Sequence, residues 1–195
     1  MNGFERRKEQ KKSEILEASL LLFLKYGVKK VSVAEIAREA NVSQVTIYNY
    51  FESKDNLIRE VMIYYTQKVW QEYEQLVTSD MPFPDKVKKI IFDKTLIANQ
   101  VNEEFYEYFI KEYSKEDNFI VNYYTERVLP RLMELFAEGK EQGYIDESIS
   151  DEAILLYLQI FVDFMKKEDV SISVLPFTED LTKLFFYGLA GGSNQ

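Results

Sequence analysis

Gln44, Val45, Thr46, Tyr48 and Asn49 fall within six residues of one another and supply amides, hydroxyls and a branched apolar side chain without a single carboxylate. Groups of this kind donate and accept hydrogen bonds at base edges, touch a thymine methyl, or bond to phosphate oxygens. The chemistry they suit is recognition of duplex nucleic acid. Tyr50 and Lys54 follow and suit the sugar-phosphate backbone, Lys54 from the first turn of a helix whose free N–H groups can hold the same phosphate. Bond-making chemistry is poorly provided for. The chain has no histidine and no cysteine, so the commonest general base, the commonest metal ligand and any thiolate or disulfide site are excluded. No cofactor is expected. An enzyme would have to work with carboxylates, tyrosines and lysines alone.

The elements that must position these residues can be read from their neighbours. Ser32 and Ser43 each stand where a side-chain oxygen accepts from a first-turn N–H, which predicts short helices over residues 33–40 and 44–50. Ser32 with Glu35 makes a capping box. Asn41, Val42 and Ser43 are the whole linker, the length of a helix-turn-helix, and Asn41 is expected in a left-handed conformation. Ile36, Ala37 and Ala40 face Val42, Ile47 and Phe51 across a small shared core, leaving the polar side of the second helix for DNA. An earlier helix is predicted over residues 9–26, closed by Gly27, with Ile15, Ser19, Leu22, Phe23 and Tyr26 on its inner face. Its basic leader, Arg6, Arg7, Lys8, Lys11 and Lys12, is read as frayed. It is either a solvated tail or an arm that touches phosphates or an adjacent minor groove.

Five submotifs in order resemble the DNA-binding domain of the tetracycline-repressor (TetR) family: ILEASLLLF (residues 15–23), GVKKVSV (27–33), IAREANVS (36–43), TIYNYF (46–51) and SKDNL (53–57). The departure is Asn41, where that family usually has glycine. The resemblance implies an all-α protein with an N-terminal three-helix DNA-binding domain and a C-terminal helical domain for effector binding and dimerisation, divided here as residues 1–53 and 54–195. It also implies a regulator, expected to be a repressor, released from a palindromic operator when a small organic effector tilts the helix that connects the two domains.

The rest of the chain is consistent with that division. Residues 1–60 carry 11 Lys+Arg against 9 Asp+Glu, a balance of +2, and the remainder carries 13 against 24, a balance of −11. The acidity belongs to the C-terminal body, which suits a protein that offers one end to phosphates. No apolar run is long enough for a bilayer and no signal peptide is apparent, so no membrane partner and a cytoplasmic location are expected. Ser53 caps a long helix over 54–77, read as the only continuous link between head and body. After the turn TSDMPFP, helices are expected over 85–99, 103–113, 118–142 (with Pro130 kinking or splitting it), 151–167 and 179–189. Ser150 is read as a cap, with Ile149 and Ile154 as a hydrophobic staple.

Two clusters in the body suggest partners. Trp70, Tyr73, Phe105, Tyr108, Phe109, Tyr123 and Tyr124, with Arg127, supply aromatic walls and a charge for an organic effector, although an aromatic stripe at this spacing also serves as plain core. Leu155, Leu158, Phe161, Val162 and Met165 on one helix and Leu181, Leu184, Phe185 and Gly188 on the next are more apolar than one core-facing stripe requires. In the resembled family this pair meets its symmetry mate in a four-helix bundle, so a homodimer is expected. A rival reading keeps the DNA-binding head but gives the acidic body a protein partner, making the chain an architectural or interaction protein.

Overall fold

The computed structural model describes residues 2–113, 115, 119–165 and 175–189, with the side chains of 95–100, 113, 161, 162, 165 and 175 left aside. Among the described residues the structure is helical, without strands. In chain order the helices are α1 (Gly3–Tyr26), α2 (Val33–Glu39), α3 (Gln44–Phe51), α4 (Lys54–Val77), α5 (Phe83–Gln100), α6 (Glu103–Tyr113), α7 (Phe119–Tyr123), α8 (Leu129–Glu141), α9 (Asp151–Met165) and α10 (Thr178–Leu189).

The chain forms two compact units. The first holds residues 1–68 and 101–112, the second 69–100 and 113–195. The division falls within α4 rather than at Ser53, and α6 belongs to the first unit although it lies far along the chain. The long helix is therefore not the only link between head and body, as the sequence had suggested. The backbone passes between the units again on either side of α6.

In the first unit Ile15, Phe23, Ile36, Ile47, Leu57, Val61 and Phe105 are essentially sealed from solvent. Ser19 is buried as well, its hydroxyl donating to the Ile15 carbonyl at 2.7 Å so that no polar group is left unsatisfied. Tyr26, placed on the inner face by its spacing, is instead exposed, with the Lys25 ammonium 4.8 Å from its ring centre. The leader is not frayed. Asn2 accepts from the Phe4 and Glu5 N–H groups and Glu5 returns to the Asn2 N–H at 3.0 Å, a capping box that starts α1 six residues before the expected Glu9.

Polar bridges join α1 to α4 along one seam. Lys12 pairs with Glu60 at 2.7 Å, and Glu17 accepts from the Tyr64 hydroxyl at 2.6 Å and from Lys68 at 2.7 Å. On another side, Glu104 of α6 accepts the Lys29 backbone N–H at 3.0 Å in the loop after α1. Arg59 of α4 lies 3.7 Å from Glu112 of α6, and Tyr65 meets Phe105 and Phe109 edge-on at 5.4 and 5.9 Å.

The second unit is built around Trp70, Phe83, Val87, Ile90, Leu135, Phe136, Ile145, Ile154 and Phe186. Gly139 lets α8 approach α5, since a Cβ there would stand 2.7 Å from the Phe83 ring. The buried Lys86 ammonium is doubly satisfied, by the Val77 carbonyl at 3.0 Å and Glu138 at 2.7 Å. The stretch expected as one helix over 118–142 is split ahead of Pro130, α7 ending at Tyr123 and α8 beginning at Leu129. A π-helical turn, Tyr124–Val128, precedes α8, and the Leu129 N–H bonds to Tyr124, five residues back. The widened turn makes room for a ring that would clash with the carbonyl four residues earlier. The Ser150 cap is present, with the Ala153 N–H donating to its hydroxyl at 3.2 Å, and Ile149 packs against the cluster that holds Ile154. The ends expected at residues 118 and 167 lie outside the described residues.

Candidate nucleic-acid interface

The turn between α2 and α3 has the geometry its residues require. The Ser32 hydroxyl accepts from the Glu35 N–H, and Glu35 in return accepts from the Ser32 N–H at 2.7 Å and hydroxyl at 2.6 Å. Those Ser32 bonds hold the Glu35 carboxyl below the usual carboxylate range. Asn41 takes a left-handed conformation at φ 51°, and the Val42 N–H reaches back to the Ala37 carbonyl at 2.9 Å, closing α2. Ser43 starts α3 by accepting from the Thr46 N–H at 3.0 Å.

Successive residues of α3 turn by about 100°, which sorts its side chains into two sides. Ile47 and Phe51 are buried, whereas Gln44, Val45, Tyr48 and Asn49 are exposed on one arc. Val45 is 67% exposed and Tyr48 46%. Such exposure of apolar and aromatic groups, on a helix without acidic residues in its first turn, is what contact with bases and thymine methyls requires. Thr46 and Tyr50 flank the arc, half-buried. The Thr46 hydroxyl is 2.9 Å from that of Ser43, so it sits in a fixed position at the start of the helix.

Lys54 is placed differently from the expectation. Its ammonium donates to the Val28 carbonyl at 2.9 Å, tying the first turn of α4 to the loop after α1, so that one of its donors is already used. Ser53 caps α4 as expected, accepting from the Asn56 N–H at 3.1 Å.

The aromatic residues assigned to an effector divide between the two units. Trp70, Tyr73 and Tyr123 pack in or against the core of the second. Tyr124 and the exposed Arg127 lie in its π-helical turn. Phe105, Tyr108 and Phe109 belong to the first, Phe105 fully buried. Burial raises the Tyr124 phenol and pushes that of Tyr106 up to about 12, so both remain hydrogen-bond donors rather than bases.

On α9 and α10 the structure shifts the helical phase of the apolar surface. Leu158 and Phe185 pack against the unit's own core and Leu181 is half-buried, whereas Leu155, Leu184 and Gly188 are exposed. The side chains of Phe161, Val162 and Met165 lie outside the described residues. Leu156, Tyr157, Ile160, Phe164 and Tyr187, not singled out from the sequence, are exposed, Leu156 by 62% and Ile160 by 59%. The spacing of Leu156, Ile160 and Phe164, one step of four and another, was the available signal. No described helix is long and apolar enough to cross a membrane.

An all-helical protein with a capped helix-turn-helix in its N-terminal unit is thus defined. Residues 15–61, the segment that holds the helix-turn-helix, match the family described as bacterial regulatory proteins, tetR family. The chain is similar to the HTH-type transcriptional regulator YhgD of Bacillus subtilis (strain 168), 29% identical over 82 residues, 42% of this chain and 43% of that one. It is also similar to the HTH-type transcriptional repressor KstR2 of Rhodococcus jostii (strain RHA1), 24% identical over 74 residues, 38% of this chain and 36% of that one. The chain matches less than half the length of these curated relatives. In fold it is similar to the transcriptional regulator FadR of Bacillus subtilis, solved in complex with stearoyl-CoA, with a TM-score of 0.58, 17% identity, and coverage of 90% of this chain and 98% of that one.

Proposed function

We propose that the protein is a DNA-binding transcriptional repressor that acts as a homodimer on a palindromic operator and is released by a small organic effector. The observation that carries this reading is the exposed, carboxylate-free arc of Gln44, Val45, Tyr48 and Asn49 on a helix fixed by Ser43. On it, Gln44, Val45, Thr46, Tyr48 and Asn49 contact bases and nearby phosphates, and Tyr50 and Lys54 the backbone. Residues 1–53 are the DNA-binding segment and 54–195 the regulatory one, the boundary being functional rather than a gap in packing.

Two copies pair through the exposed apolar face of α9 and α10, so that two heads match two half-sites. The effector binds among the aromatic residues of the body and favours a form in which the heads no longer fit successive grooves. Each tenfold loss of operator affinity needs about 1.4 kcal/mol of preference for that form. Stearoyl-CoA, the ligand of the FadR complex, is a sensible first probe.

Selection from a pool of random duplexes tests the reading. Enrichment of a palindrome by the full chain, lost in Tyr48→Ala, supports it. A pool that stays random at moderate ionic strength overturns it.

A further inference from the structure

The basic leader has no core to join. From Gly3 to Glu14 α1 is exposed or only half-buried, about three turns of helix that precede the first buried residue, Ile15. It is nonetheless built deliberately, with a capping box at Asn2 and Glu5 and the Lys12–Glu60 bridge holding its third turn to α4.

Phe4, Arg7 and Lys8, spaced three and four apart, share one face of this extension. Together with Asn49 and Tyr50 from the end of α3 they line an open cleft of about 340 Å³. The lining contains two cations, an amide and a phenol, and no carboxylate. Neither flanking carboxylate lines this cleft: Glu5 is engaged in starting the helix, and Glu9, next to Lys8, lines a separate cleft with Lys12. Among the described residues neither Arg7 nor Lys8 is ion-paired. Phe4 is 69% exposed, a large apolar side chain left mostly in solvent.

We propose that this cleft seats the sugar-phosphate backbone of duplex DNA immediately beside the groove that α3 occupies. Arg7 and Lys8 neutralise phosphates, Asn49 and Tyr50 donate to the same strand, and the Phe4 ring covers a deoxyribose. The inference rests on the DNA-binding reading above and resolves what the leader does in it. A leader folded as a capped helix, not an extended strand, is a backbone clamp and not an arm threaded along a minor groove. The cleft is continuous with the reading helix through Asn49 and Tyr50, and its charge is complementary to the proposed occupant.

The test is the salt dependence of affinity for a cognate duplex and a scrambled one, using the full-length chain. Losing one phosphate contact lowers the slope of log K against log salt by about 0.9. Arg7→Ala and Lys8→Ala are each expected to lower the slope by about that amount and to weaken both duplexes about equally. Arg7→Lys retains the slope. Phe4→Ala weakens binding with the slope unchanged. Lys88→Ala, an exposed cation of the second unit, is the control and leaves the slope as it was. The proposal is overturned if Arg7→Ala and Lys8→Ala behave like that control, or if they alter preference among A·T-rich flanks instead of affinity for all sequences. Circular dichroism of each variant shows that α1 is intact. Should the parent chain fail to prefer the cognate duplex while these slopes still change, the sequence-reading proposal fails and the clamp stands.

Discussion

Asn41 shows how a single residue reports its own conformation. A turn of three residues leaves one position that must be left-handed, and asparagine accepts it without glycine's entropic cost. Gly27 is a stricter case. Its φ is 83°, and a Cβ there would come within 2.2 Å of a Glu104 carboxylate oxygen. Gly27→Ala therefore has to displace Glu104 and adopt a strained backbone, which is expected to lower stability by about 1–3 kcal/mol. Urea unfolding measures it, and an unchanged midpoint would show that the loop relaxes freely. At the reading surface, Thr46→Ala or Tyr48→Ala should weaken specific binding by about 1–3 kcal/mol per lost contact without changing association of the subunits.

The seam between α1 and α4 makes its prediction at the level of the element. Burial raises the Glu17 carboxyl, but the bonds from Lys68 and Tyr64 outweigh it and hold the group below its ordinary 4.5. A carboxyl depressed in the folded state stabilises the fold at pH above its unfolded value, and that contribution disappears as pH falls through the folded value. Glu17→Gln should accordingly be less stable than the parent at neutral pH and lose less stability on acidification below about pH 4.5. Parallel stability curves would mean the seam carries no linkage. On the far side of the unit, Glu104→Ala removes the acceptor of the Lys29 N–H and should cost about 1–2 kcal/mol.

Elements were legible where local chemistry decides them, and less so where partners do. Ser32, Glu35, Ser43, Ser53 and Ser150 carry their own start signals, and the helices they begin stand close to the expected places. The start of α1 is set by the cap signal of Asn2 and Glu5, which lies just ahead of a run of cations that reads as solvated. The π-helical turn before Pro130 is invisible to periodicity, which treats every turn as 3.6 residues. On α9, Ile154 and Leu158 are as apolar as Leu156 and Ile160, and only packing tells the core face from the exposed one. The placement of α6 with the head was not legible at all, since nothing in its composition says which unit it joins.

For the whole molecule, the charge division is the feature composition alone conceals. A net charge of −9 argues against a nucleic-acid partner until residues 1–60 are found to carry +2. An acidic body joined to a mildly basic head disfavours non-specific attachment, so in the proposed reading specific binding comes from the matched contacts of two heads. Pairing is tested by Ile160→Glu, a change on an exposed residue that should shift the parent dimer to monomer in sedimentation while moving subunit stability by less than about 0.5 kcal/mol. A monomeric parent would remove the basis for a palindromic site.

The central claim is that the wet side of α3 reads a duplex, twice, in a symmetric complex. A footprint by the full chain over the DNA flanking its own gene tests it most directly. The expected result is a protected segment with two half-sites one helical turn apart, abolished by Tyr48→Ala. Even, sequence-independent protection, or none at moderate ionic strength, would contradict it.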